Sequence, residues 1–158
     1  MRLILIRHAD AAPPIAGQAD AERPLSTVGK EQAQQLARFL HRQQLCPSLL
    51  LCSPYQRARQ TAEPLQRICG SEIWMDSALT PTSNVEDAYT LLIQFQSFPI
   101  LGCITHQPLI GHLAATLLRC SSLPIAIPPA TALIFELRRQ SSYPAATLLG
   151  LYPPAAIL

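Results

Sequence analysis

Apolar positions fall into short continuous runs along the chain, separated by stretches whose apolar residues recur with a helical period. The first run, "LILI" at Leu3–Ile6, has the character of a strand buried on both faces. A loop rich in Ala, Pro and Gly follows. In "STVGKEQAQQLARFLHRQQ", Ala33, Leu36, Ala37 and Leu40 then repeat at i, i+3, i+4 and i+7, which predicts a helix capped by Ser26 or Thr27. "PSLLLCS" predicts a second buried strand. Ser53 as N-cap and Pro54 as first helical residue would open the next helix, with Ala58, Ala62, Leu65 and Cys69 inward and Gly70 at its end. "EIWMD" reads as a short strand. A Ser83–Glu86 capping box predicts a helix over Val85–Phe98 with Ala88, Leu91, Leu92 and Phe95 inward. "ILGCIT" is a further buried strand, and "HQPLIGHLAATLLRC" turns into a helix with Leu109, Leu113 and Leu117 on one side. Beyond a proline-rich loop, "TALIFEL" and "ATLLGLY" predict a terminal hairpin.

Strands alternating with helices predict an α/β fold, a three-layer α/β/α sandwich around a mostly parallel sheet. The segment Asp76–Ile100 holds one helix and has no room for a large lid insertion. The length of 158 residues suits a single domain spanning 1–158, and neither an internal repeat nor a linker interrupts it.

Composition narrows the function classes. A net charge of +2, from 12 basic and 10 acidic residues, with Lys30 the sole lysine, argues against a nucleic-acid partner. The arginine-dominated basic set suits planar recognition of phosphate or carboxylate. The apolar stretch from Ile100 to Ile127 carries His106, Gln107, His112, Arg119 and prolines, so no membrane span is expected. The first apolar run is too short for a signal-peptide core, and a cytoplasmic protein is expected. Five cysteines without CxxC spacing (Cys46, Cys52, Cys69, Cys103, Cys120) read as reduced and structural.

In open α/β sheets, ligands bind at the carboxyl ends of the strands. Three strand exits here carry residues foreign to a core: Arg7-His8, Ser53–Arg57 and Thr105-His106. If the strands are neighbours, two histidines and two arginines face one volume, which calls for a compact dianion such as phosphate. A neutral His8 imidazole can attack phosphorus through one nitrogen while the other donates its proton to a backbone carbonyl. Nearby arginines disfavour imidazolium, and Arg7 and Arg57 would neutralise the charge of the transferring group.

"IRHAD", "RPLSTVG" at 23–29, "SPYQRARQTAEPL" and "THQPLIGHL" together resemble the histidine phosphatase superfamily, of phosphoglycerate mutase-like fold. Their order and the short chain are similar to its SixA-type phosphohistidine phosphatase branch. The resemblance runs from Met1 to about Thr116 and more weakly to the end. It implies a hydrolase in which His8 is transiently phosphorylated, Arg7, Arg57 and His106 bind the phosphoryl group, and water releases it. It implies no metal and no cofactor. Its partner would be a phosphohistidine-bearing phosphorylated protein or a small phosphate compound.

The chain departs from the family pattern in two places, one at Ala9 and one in the segment that holds Ala78 and Asn84. Ala9 stands where glycine usually follows the histidine. Ala78 and Asn84 stand where relatives commonly carry Glu and Asp, so the carboxylate that protonates a leaving group is missing. An alkoxide needs such an acid, whereas an imidazole leaves more easily. Phosphohistidine is therefore the expected substrate, with Asp10 the remaining acid close in sequence.

Around this core of four residues, Arg23 either rims the pocket or pairs with an acid, and Gln107 is a candidate to offer its backbone N–H to phosphoryl oxygens. Ser53 can orient the site or simply cap a helix. His41, Arg59 and His112 read as residues outside the site. The competing functions are a small-molecule phosphomonoesterase, a metal-dependent hydrolase using His8, His106 and a cysteine or Asp10, and a phosphate- or phosphoprotein-binding module without catalysis. Flanking arginines repel cations and weigh against the metal reading.

Overall fold

The computed structural model describes residues 1–120, 126–138 and 145–156. Six strands form one sheet: β1 (Arg2–Arg7), β2 (Leu49–Cys52), β3 (Glu72–Met75), β4 (Ile100–Thr105), β5 (Ala132–Arg138) and β6 (Ala145–Tyr152), in the order β3-β2-β4-β1-β5-β6. The first four pair in parallel, and β5 runs antiparallel to both β1 and β6. The helices are α1 (Thr27–Arg42), α2 (Gln56–Cys69), α3 (Val85–Gln94) and α4 (Leu109–Leu117).

The alternation of side chains along β1 divides the core in two. Ile4 and Ile6 join Leu36, Leu40, Ala58 and Leu65 under α1 and α2. Leu3 and Leu5 join Leu92, Leu109, Leu113 and Leu117 under α3 and α4. The result is the expected α/β/α sandwich. Burial of Leu3, Ile4, Leu5 and Ile6, all fully enclosed, stabilises the fold by about 1.5–3 kcal/mol each. The central strand is therefore a rigid mount for the Arg7-His8 pair at its end. Between β3 and β4 lie only α3 and a 3-10 turn at Ser77–Leu79, with no large lid. Among the described residues, no helix is long and apolar enough to cross a membrane.

Several boundaries differ from expectation, each for a local reason. The Ser53 amide donates to the Ile104 carbonyl at 3.0 Å and prolongs the β2–β4 ladder, so residue 53 stays extended. Tyr55, also extended (φ −64°, ψ 139°), becomes the N-cap of α2, and Pro54 remains in the loop. Asn84 rather than Ser83 caps α3, its Oδ1 accepting from the Asp87 amide at 2.7 Å, while Ser83 donates to the Ser77 carbonyl. That helix ends at Gln94, because the Phe95 amide turns back in a tighter loop to Leu92 and Ile93. Ser26, not Thr27, caps α1 by accepting from the Gly29 amide. Gly70 closes α2 in the left-handed conformation at φ 71°, which glycine adopts without a Cβ penalty. Cys46 and Cys69 form a disulfide between the approach to β2 and the end of α2, correcting the reading of five reduced thiols. Cys52, Cys103 and Cys120 are free. The hairpin turn at 139–144 and the first half of the proline-rich loop lie outside the described residues.

Candidate active site

β1, β4 and β2 are consecutive in the sheet, so their carboxyl ends open side by side. Register brings Arg7 opposite Thr105 and Cys52 opposite Ile104. The His8 amide donates to the Thr105 carbonyl at 3.0 Å, matching the Ser53–Ile104 bond on the other side of β4. Three strand exits are thereby locked in register, and the sequence-distant Arg7, His8, Arg57 and His106 meet.

His8 is buried, with its Nδ1 at 2.7 Å from the Ala9 carbonyl oxygen. A carbonyl only accepts, so the proton sits on Nδ1 and the lone pair on Nε2. That Nε2 accepts from Arg57 Nε at 3.3 Å. The His106 ring lies 4.9 Å from the His8 ring, centroid to centroid, and its Nε2 is 2.7 Å from Ser53 Oγ. Burial lowers the His8 pKa from 6.5 to about 4. The bond to Ala9 opposes this, and the charges of Arg57, Arg7 and Arg23 reinforce it. His106 is lowered further, by burial first and then by His8 and the same arginines. Both imidazoles are neutral at pH 7.

Arg57, only 3% exposed, comes from the first turn of α2. Its Nη1 donates to the Asp20 carbonyl oxygen at 2.7 Å and its Nη2 to Asp20 Oδ2 at 2.9 Å. Asp20 opens a 3-10 turn, Asp20–Glu22. Its other oxygen lies 3.2 Å from Arg23 Nε, so Arg23 enters the cluster paired with an acid. Arg7 Nη1 donates to the Ile127 carbonyl at 2.6 Å, and its buried Nε has no hydrogen-bond partner among the described residues. Nor does His106 Nδ1. Unpaired buried donors and acceptors are costly, so they mark where a polar ligand would repay their burial. Gln107 follows His106 at the same exit, across a cis bond to Pro108, and its Oε1 accepts from the Ile127 amide.

Three contributors escape a reading of motifs. Thr61 Oγ1 accepts from the Ala9 amide at 3.0 Å and donates to the Arg57 carbonyl at 2.7 Å, tying the β1 exit to α2. Its signal was a hydroxyl on the buried stripe of a helix, four residues after Arg57. Tyr55 sets its ring 5.1 Å from that of His106 and 4.9 Å from the Arg57 guanidinium carbon. Asp20 lies 37 residues from Arg57, and only its place three residues before Arg23 hinted at it. Ser53 Oγ lies at 2.7 Å from His106 Nε2 and is a capping group only marginally, at 3.4 Å from the Tyr55 amide.

The expected departures also find explanations. The Ala9 methyl group is enclosed by Leu25, Ala33 and Ala130, so the extra carbon is absorbed by packing. Ala78 leans on the core under α3 and Asn84 caps that helix. The Asp10 carboxylate accepts from Ser26 Oγ at the start of α1. His41, Arg59 and His112 are exposed. Among the described residues, no cluster of three or more His, Cys, Asp or Glu side chains could hold a metal ion.

Comparison with known proteins bears directly on this geometry. Residues 3–83 match the model of the histidine phosphatase superfamily (branch 1). Phosphohistidine phosphatase SixA of Escherichia coli K12 is 32% identical over 123 residues, 74% of each chain. The structure of a protein histidine phosphatase SixA complexed with tungstate superposes with a TM-score of 0.86 at 27% identity, covering 100% of both chains. A mycobacterial glucosyl-3-phosphoglycerate phosphatase with inorganic phosphate shares the fold, at TM-score 0.75 and 18% identity, over 93% of this chain and 94% of that one. With His8 and His106 adjacent to Arg7 and the buried Arg57, at the carboxyl end of a sheet of this topology, the chain belongs to the histidine phosphatase superfamily, branch 1, and is a hydrolase of the phosphatase class.

Proposed function

We propose that the protein is a phosphohistidine phosphatase that works through a phosphorylated His8. The carrying observation is His8 itself, a neutral imidazole that carries its lone pair on Nε2, turned toward Arg57. Nε2 attacks the phosphorus of the substrate, the Nε2–P bond forms, and the substrate P–N bond breaks with the electron pair leaving on its imidazole. Water then attacks the phosphorus, the bond to His8 breaks, and inorganic phosphate leaves. Arg7 and Arg57 hold the non-bridging oxygens, with His106 beside them as a neutral hydrogen-bonding group and Arg23 and Gln107 at the rim. Charge stabilisation of this kind is the main demand of phosphoryl transfer.

The choice of a P–N bond follows from the carboxylates. Asp10 and Asp20 are committed to Ser26 and to the arginines, and Ala78 and Asn84 offer no acid. A positioned acid contributes about 100- to 10,000-fold when an alkoxide departs, and imidazole needs it far less. The short connection between β3 and β4 leaves the strand ends approachable by a protein-borne phosphohistidine. Turnover of a phosphohistidine protein should exceed that of a simple alkyl phosphate by roughly 100-fold or more in kcat/KM. Preference for the ester would instead identify a small-molecule phosphomonoesterase, and binding of tungstate without turnover a phosphate-binding module.

The pH profile gives a second test. An ordinary histidine would lose its nucleophilic lone pair below pH 6.5, whereas His8 keeps it down to about 4. The enzyme-side acid limb of kcat/KM should therefore fall near pH 4, after correction for the substrate's own phosphoryl ionisation located by phosphorus NMR. A limb near 6.5 would show an imidazole in ordinary solvent. Stability follows the same linkage. Between pH 6.5 and 4 the unfolded chain takes up protons that the folded site refuses, so stability falls as pH drops through that window.

A further inference from the structure

The connection between β1 and α1 leaves the site and returns to it. Its stem is closed by a bridge between Ala11 and Leu25 and by the Ala12 amide, which donates to the Pro24 carbonyl at 2.9 Å. The Leu25 amide donates to Gln60 Oε1 at 2.7 Å, which fixes the stem to the helix that carries Arg57. At the far end the backbone meets Arg57 again through the Asp20 carbonyl. Between these anchors runs "AAPPIAGQA", residues 11–19, without a single charge.

Residues 13–16 of this loop are exposed and wholly apolar. Ile15 is 66% exposed, more than any other large apolar side chain among the described residues. The loop is stiff. Pro13 and Pro14 have fixed φ, and in the turn that follows the Gln18 amide donates to the Ile15 carbonyl at 3.0 Å, with Gly17 left-handed at φ 81°. An apolar side chain held out on a rigid loop loses little freedom when a partner covers it, so covering it is favourable. On the other side of the site, the Ile127 carbonyl accepts from Arg7 Nη1 and the next residue, Pro128, is exposed. Uncharged, proline-stiffened segments thus adjoin both Arg57 and Arg7.

We propose that the loop of residues 11–19 is the docking surface for the protein that carries the phosphohistidine, with Ile15 packed on an apolar face beside the modified histidine. This inference rests on the proposed function and names the partner's surface. His8 is only 6% exposed, so a phosphohistidine must enter the site before Nε2 can reach its phosphorus. The surface from which it projects then closes on whatever stands beside the mouth, and this loop is rooted there at both ends. An acidic or basic face finds no counter-charge on residues 11–19, whereas an apolar face finds Ile15.

Three probes test the assignment. One is N-phosphoimidazole. The others are two synthetic peptides, each phosphorylated with phosphoramidate on one histidine, flanked by Leu and Ala in the first and by Glu and Lys in the second. Wild-type KM for the Leu/Ala peptide should lie about tenfold or more below that for the Glu/Lys peptide, the size expected for covering one isoleucine. Ile15→Asp should erase that preference, with turnover of N-phosphoimidazole within about twofold of wild type. Ile15→Leu should keep it. The exposure of Ile15 means that neither change disturbs the core. Equal KM values for the two peptides in wild type overturn the docking surface, and so does a preference that survives Ile15→Asp. Loss of N-phosphoimidazole turnover in folded Ile15→Asp overturns it too, because the loop would then act on the phosphoryl site itself. A wild-type dimer that Ile15→Asp dissolves in sedimentation would assign the loop to a second copy of the chain and overturn it as well. All four outcomes leave the phosphatase reading standing. That reading fails separately, when wild type gains no phosphoryl group on His8 from N-phosphoimidazole.

Discussion

His8→Ala should abolish turnover, with a loss of roughly 10,000-fold or more, and no phosphorylated protein should be trapped on rapid quenching. The magnitude follows from the site's design. Under the proposed function His8 is the covalent nucleophile, so replacing it removes the lower-energy two-step route and leaves binding by the surrounding cations. No other described group can take over at the same point. The nearest imidazole, His106, turns its Nε2 to Ser53 Oγ at 2.7 Å. Folding should survive the change, because Arg57 keeps its two acceptors on Asp20 and Thr61 still ties Ala9 to α2. The measurement is mass spectrometry of the quenched protein, where wild type gains one phosphoryl group on His8 and the variant gains none. His8→Gln provides a second reading with a side chain of similar reach. A variant that retained a few per cent of activity with a phosphoryl group elsewhere would move the nucleophile away from His8.

What made His8 visible in the sequence was contrast. A strand of four fully buried aliphatic residues ends in an arginine and a histidine. Two further strand exits repeat the pattern, and β-sheet topology does the rest by placing those exits side by side. Strong apolar runs are legible because periodicity and burial have a single geometric meaning. Residues in loops lack that guide. Asp20 sits in a 3-10 turn, and no apolar periodicity there marks its carboxylate as the partner of Arg57, 37 residues away. The cap of α2 was misplaced for a related reason. Ser53-Pro54 is a good helix opening taken alone, and the extra ladder bond from the Ser53 amide to Ile104 overrides it. With residue 53 held extended, its hydroxyl lies at 2.7 Å from His106 Nε2 instead of capping the helix closely. The Cys46–Cys69 pair was illegible because its two halves lie on different elements, and spacing alone does not bring them together.

Gly29→Ala should destabilise the fold by about 2–4 kcal/mol, although in an ordinary helix the same change stabilises by about 1 kcal/mol. Gly29 lies in the first turn of α1, where an ideal Cβ would stand 1.9 Å from the Asp10 carbonyl oxygen and 2.8 Å from its carbon. Both are backbone atoms, so no side-chain rotation relieves the overlap. Either α1 withdraws or the chain after His8 does. Withdrawal strains three bonds: Ser26 amide to Asp10 carbonyl at 3.0 Å, Ser26 Oγ to the Asp10 carboxylate, and the Asp10 amide to Gln32 Oε1 at 3.0 Å. The glycine of "RPLSTVG" is thus a matter of close approach between the first helix and the strand exit that carries His8. For a chain of this size, a loss of that order lowers the melting temperature by roughly 5–15 °C. Activity should fall as well, since Asp10 is two residues from His8 and moves with it. Lys30→Ala, exposed on the neighbouring position of the same helix, is the control and should change stability by less than about 0.5 kcal/mol. A melting temperature that rises in Gly29→Ala would mean that the helix stands farther from Asp10 than 1.9 Å implies, and that ordinary helix propensity governs this turn.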